Sequence, residues 1–255
     1  MNGKKAKPSQ PVDVIFDQGN HWRARIGYVL LAMEQTIEDD VYRLTPPGVG
    51  SHFTRVRMPN AVTVENLLAV ADELPKAAGL ILPEATLDAI TYACTSGSLV
   101  IGEDKVKELL SQGAPGAKAS SLVTGAIRAL HTLGAKRIVV ATPYLDEINQ
   151  LEETYFCERG LEVLNIQGLN ITNDEDIVRV SPPFMKDFAR SLDRPDADAI
   201  FISCGALRVL NIIDDLEQMV GKPVVTSNQA LVWDALRLAG VEDRIEGYGR
   251  LFRDH

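Results

Sequence analysis

The chain predicts an α/β fold of two pseudo-symmetric lobes, each a small parallel sheet flanked by helices, with the active site in the cleft between them. Three observations predict it. Apolar, β-rich runs alternate with helical segments along the 255 residues, the pattern of strands covered by helices. The same order restarts after GAPGAK (113–118), which has the punctuation of a linker. Finally, DAITYACTSGS (88–98) is nearly repeated as DAIFISCGALR (198–208): Asp-Ala-Ile opens an apolar run that closes on a cysteine.

Taken in order, RIGYVLL (25–31) reads as a buried strand and FTRVRM (53–58) as another. TVENLLAVADEL (63–74) has the spacing of an amphipathic helix, DAITYA (88–93) is a strand ending at Cys94, and a helix runs through 97–112. The second round begins with a helix in SLVTGAIRALHTLG (121–134), then the strand RIVVATPY (137–144), the helix at 145–160 and the strand LEVLNIQ (161–167). A helix near 174–192 precedes the strand DAIFIS (198–203), which ends at Cys204. The helix ALRVLNIIDDLEQMVG (206–221), the strand PVVTS and the helix NQALVWDALRLAG (228–240) follow. RIGYV at 25 and RIVVA at 137 supply a second repeat, offset by nearly the same distance as the cysteines. The chain is expected to cross between lobes near Pro115 and again near Ser227. This makes 24–116 plus 228–255 the first lobe and 117–227 the second, after a disordered tail at 1–23.

Composition narrows the partners. At 45% apolar residues the chain buries a substantial core, and a formal charge of −9 argues against nucleic acid or an anionic membrane, both of which need a concentrated basic surface. The basic residues of MNGKKAKPSQP are followed by no apolar run, so this is not read as a signal peptide, and the chain is expected to be cytoplasmic. Three widely spaced cysteines make no disulfide framework, and with no C-x-x-C pair and no metal spacing among the four histidines a zinc site is not expected. GVGSH (48–52) lacks the third glycine of a dinucleotide loop. The remaining partner is a small molecule, while apolar helices leave room for a homo-oligomer.

In open parallel sheets ligands collect beyond the carboxyl ends of strands, where helix N-termini present free N–H groups, and Cys94 and Cys204 sit at such ends. A helix starting just beyond each is expected to lower the thiol pKa. A single cysteine ending an apolar run is most often a small buried hydrophobe; the matched pair changes that reading. Two thiols flanking one substrate can act as base and acid on opposite faces of a carbon, giving racemisation, or one can add to an activated double bond and permit rotation. Backbone N–H groups around Thr95, Ser96, Gly205 and Ala206 are expected to hold a carboxylate, and Tyr144, at the end of VVATPY, to reach the cleft. Cys157 reads as packing, and NDED (173–176) as a helix start. A two-lobed metabolite-binding protein is the non-enzymatic alternative.

YACTSGS, ATPYLDEIN, FISCGALR and VVTSNQALVWDALRLAG together resemble the Asp/Glu racemase superfamily, in the branch of maleate isomerases and arylmalonate decarboxylases. Through QTIEDD, TSGSLVIGEDKV and SNQALVWDALRLAG the chain is most similar to that branch's ectoine-utilisation proteins. The resemblance implies a cofactor-independent isomerase or racemase of a small carboxylate, such as an amino acid derivative of ectoine degradation. Its catalytic residues would be Cys94 and Cys204, with Thr95 and Ser96 in the first carboxylate-binding turn and Tyr144 bonding a substrate carboxylate. A maleate-type cis-trans isomerase and an arylmalonate-type decarboxylase are the alternatives. The decarboxylases keep only the second cysteine, whereas this chain has both. Where maleate isomerases carry asparagine in the turn after the first strand, LAMEQTIED places Glu34, an acid unsuited to a dicarboxylate.

Overall fold

Ala24–Leu31 (β1) is apolar almost without interruption and buried along nearly its whole length, as a parallel strand covered on both faces must be. The computed structural model, which describes residues 9–59 and 61–255, puts β1 inside the first sheet. There it pairs in parallel with Val49–Val56 (β2) and Ala89–Tyr92 (β3), and β3 pairs with Lys118–Ser121 (β4), giving the order β2-β1-β3-β4. Arg137–Thr142 (β5), Glu162–Gly168 (β6), Ala199–Ile202 (β7) and Val224–Thr226 (β8) form a second parallel sheet in the order β6-β5-β7-β8. The two halves thus use one topology twice, and β3 and β7, which carry the repeated Asp-Ala-Ile phrase, hold the same place in each.

The helices differ from expectation where proline or glycine interrupts the backbone ladder. Ile37–Leu44 (α1) follows β1. The expected helix over 63–74 is Val64–Ala69 (α2), a 3-10 turn over Val70–Glu73, and Leu74–Gly79 (α3), which begins anew around Pro75, a residue with no N–H for the preceding turn. Thr95–Ile101 (α4) and Glu103–Gly113 (α5) are separated by Gly102 at φ +91°, a conformation that only glycine adopts without strain. Leu122–Thr132 (α6) and Asp146–Glu158 (α7) are continuous. Asp174–Ile177 (α8) stops before Ser181-Pro182-Pro183, where Ser181 caps a fresh helix, Pro182–Ser191 (α9). Beyond Cys204 there is no immediate helix: a turn leads to a 3-10 segment, Leu210–Ile212, and then to Ile213–Val220 (α10).

β4 extends the first sheet past residue 116, so the chain leaves that sheet at Ser121. Ser227–Leu238 (α11), which follows β8 of the second sheet, crosses back over β3 and β4 and packs along α6, while Gly249–Asp254 (α12) rests on α10 and β8. The helices after the last strand of each sheet therefore meet at the lobe interface. Among the described residues no helix is long and apolar enough to cross a membrane.

Candidate active site

Cys94 follows β3 by two residues and is the N-cap of α4. Its backbone is extended (φ −145°), and its Sγ accepts the Gly97 N–H at 3.3 Å. Gly97 is required there, because a Cβ would stand 2.4 Å from the Tyr92 hydroxyl, which lies against the Cys94 thiol. Ser96 Oγ is 3.7 Å from the same sulfur. Cys204 follows β7 by two residues but has φ +115°, a region that non-glycine residues rarely occupy. Tyr144 faces the Cys204 thiol and, like it, is buried.

The two turns are tied together. The Cys204 N–H donates to Ser227 Oγ at 2.9 Å, and that oxygen is 3.1 Å from Thr95 Oγ1. Asn228, next in α11, donates through Nδ2 to Gly205 O at 2.8 Å and to Asp40 Oδ2 at 2.9 Å. The Thr36 hydroxyl donates to Ala206 O at 3.0 Å. The start of α11 thereby fixes one cysteine turn relative to the other across the interface.

Cys94, Thr95, Ser96, Tyr144, Cys204, Gly205 and Ala206 all line one cavity of about 20 Å³, joined by Leu31, Glu34, Met58, Val62, Ala93 and Asp174. All seven residues expected at the site meet there. A larger cleft of about 260 Å³ beside Leu82 and Pro115 holds neither thiol, so size alone does not locate the chemistry. The sequence reading missed Asp174, Tyr92 and Ser227. Asp174 stands in NDED, which does start a helix, and nothing local tells that its side chain also faces the thiols. Tyr92 looked like one more buried strand residue. Ser227, at the end of the VVTS strand, was legible only as a crossing point.

Electrostatics correct one expectation. The start of α4 does not leave a low thiol pKa at Cys94: burial pushes it up to about 11, against the Gly97 N–H and the Ser96 and Tyr92 hydroxyls, which favour thiolate. Cys204, with no helix start beside it, is also driven well above the ordinary thiol value by burial and by Asp174, with Tyr144 and the Ala206 amide opposing. Burial also raises Glu34, and it lifts Asp174 to about 6 with help from Glu34. Beneath the site, Glu152 is fully buried, accepts the Ser203 hydroxyl at 2.6 Å, and is raised to about 8 by burial. Cys157 is exposed on α7, outside the cavity.

The family described as arylmalonate decarboxylase matches residues 60–252. An arylmalonate decarboxylase of Bordetella bronchiseptica is 37% identical over 142 residues, 54% of this chain and 59% of that protein, so the match spans little more than half of that relative's length. A maleate isomerase of Pseudomonas putida is 27% identical over 242 residues, 89% of this chain and 96% of that protein. A solved structure of a liganded arylmalonate decarboxylase variant superposes with a TM-score of 0.82 at 27% identity, covering 91% of this chain and all of that one. It has the same two-lobe fold.

Proposed function

The chain belongs to the arylmalonate decarboxylase family, and from that premise we propose that it is a cofactor-independent isomerase that racemises a small carboxylate, an amino acid derivative, using Cys94 and Cys204 as base and acid. The observation that carries this reading is the convergence of the two thiols, one from each lobe, on one small cavity. Cys94 is the thiol better prepared to carry charge, since an amide N–H and two hydroxyls favour its thiolate. As thiolate it takes the α-proton, and the electron pair left on carbon delocalises into the substrate carboxylate as an enolate, held by the N–H groups of the Thr95–Ser96 and Gly205–Ala206 turns. Cys204 then delivers its own proton to the opposite face, so the thiol and thiolate have exchanged places and the reverse turnover restores them. Tyr144, facing Cys204, bonds the substrate carboxylate in this reading.

A place in ectoine degradation is part of the proposal and is supported by the resemblance through QTIEDD and SNQALVWDALRLAG. The full-length likeness to a maleate isomerase favours a second reading, in which Cys94 adds to a double bond. The presence of both cysteines weighs against arylmalonate-type decarboxylation.

Proton NMR in D₂O tests the proposal, with 2,4-diaminobutyrate and its N-acetyl forms, maleate and substituted malonates. The expected result is deuterium at the α-carbon, with the rate falling by roughly 10²-fold or more in Cys94→Ser and in Cys204→Ser. If α-hydrogens persist while maleate becomes fumarate or a malonate loses CO₂, racemisation is wrong. A metabolite-binding protein would turn over nothing and would bind equally well in both variants.

A further inference from the structure

Two carboxyl groups reach the thiol cavity from opposite lobes and have no part in the acid–base pair. Glu34 stands in the turn after β1, and Asp174 opens α8. Glu34 lines the cavity while its Oε1 accepts the N–H groups of Thr36 (2.5 Å) and Ile37 (3.0 Å), which fixes the side chain. The Asp174 carboxyl has no hydrogen bond or ion pair among the described residues. Among the described residues no Lys, Arg or His lines the cavity. Arg55, whose charge acts on Glu34, is already engaged: it donates to the carbonyls of Leu31 (3.0 Å) and Glu34 (2.8 Å) and pairs with Glu38 (2.8 Å).

We propose that Glu34 and Asp174 together receive an ammonium group of the substrate, making the site selective for an amino acid that carries a free amine and hostile to dicarboxylates. The inference rests on the reading of Cys94 and Cys204 as the reacting pair and names the substrate class of that site. An ammonium has three N–H donors and no acceptor, which matches two carboxyl groups lining one cavity. It also offsets the cost of holding the two acids there, since burial raises both above their usual range and Glu34 raises Asp174 further. With the carboxylate on the cysteine turns and the amine at Glu34 and Asp174, the carbon joining them shares one cavity with both thiols. A dicarboxylate would bring a second negative charge into a cavity that supplies two of its own.

The test is calorimetric binding at neutral pH of two four-carbon probes, L-2,4-diaminobutyrate and maleate, to the full chain and to Glu34→Gln, Asp174→Asn and the double variant. The expected result is that the unaltered protein prefers diaminobutyrate by at least ten-fold. Each single variant should weaken diaminobutyrate by at least ten-fold, and the double variant should bind maleate more tightly than the parent. Equal affinity of parent and variants for diaminobutyrate, no binding of it by the parent, or a parent that prefers maleate would each overturn the inference. Running the deuterium-exchange assay on the same proteins separates the two claims. Charge-dependent binding without exchange leaves this inference standing and refutes racemisation. Exchange into a substrate indifferent to both acid substitutions does the reverse.

Discussion

Cys94 and Cys204 occupy equivalent strand ends, yet their backbones lie in different regions: Cys94 at φ −145° and Cys204 at φ +115°. That difference makes a test independent of any substrate. Glycine normally costs stability relative to alanine, because its unfolded chain has more freedom to lose. At Cys204 the order should reverse, with Cys204→Gly more stable than Cys204→Ala by about 1 kcal/mol or more, because an alanine there keeps the strain that a Cβ imposes at positive φ. At Cys94 the usual order should hold. Urea midpoints of the four variants decide it, and alanine proving the more stable at both sites would mean that Cys204 relaxes out of its turn at no cost. The pairing of the cysteines was legible in sequence because each phrase carries its own Asp-Ala-Ile strand. The sign of φ was not, since Cys-Gly-Ala looks as much like a helix start as Cys-Thr-Ser does. The left-handed turn is held from outside, by Ser227 and Asn228 on α11, residues distant in sequence.

Among the elements, the strands that cross the sheets in nearly continuous apolar runs were readable, because a strand buried on both faces is mostly apolar. β1, β3, β5 and β7 are of this kind. β4 was not, since its residues, KASS, carry no apolar signal and only the last two are buried; its place is set by pairing with β3. α1 went unread for a related reason: its charged first turn hid a buried face of Ile37, Val41 and Leu44. The helix expected over 97–112 is two helices because of Gly102, and this break lets α4 aim its first turn at the cavity while α5 packs on α3. A Cβ at Gly102 would meet no neighbour within 4 Å, so Gly102→Ala tests backbone conformation alone. It should cost about 1–3 kcal/mol by urea unfolding, the range for a residue held in a sparsely populated region. It should also lower turnover more than it lowers binding, because the thiol at the other end of α4 is displaced. A neutral substitution would show that α4 and α5 can join into one helix without disturbing Cys94.

At the scale of the whole molecule, the dominant electrostatic feature is the number of acids raised by burial. Glu34, Asp40, Glu152, Asp174, Glu217 and Asp234 all lie above their ordinary range with burial as the largest cause, Asp40 and Asp174 at about 6 and Glu152 at about 8. For each, the folded state holds its proton to higher pH than the unfolded chain does. Between the ordinary carboxylate range and about pH 8 the native protein therefore binds more protons, and stability falls as pH rises. The contribution is fully present below pH 4.5, the ordinary value for a glutamate, and is lost through the raised values. His52, whose pKa is lowered by burial, opposes the trend as a single group. Glu103 at about 2, with Asp196, Asp198 and Asp243 also held low, acts only in more acid solution. The urea midpoint should accordingly decline from about pH 5 to about pH 8.5, in contrast to the usual broad optimum between about pH 5 and 8. Glu152, fully buried and among the described residues bonded only by the Ser203 hydroxyl, should account for the largest share. Glu152→Gln, which keeps the shape and removes the proton, should flatten the decline by an amount on the order of a few kcal/mol. A midpoint that rises with pH, or a Gln variant that follows the parent curve, would show that Glu152 is ionised in the folded protein and compensated by a partner that the folded geometry does not provide.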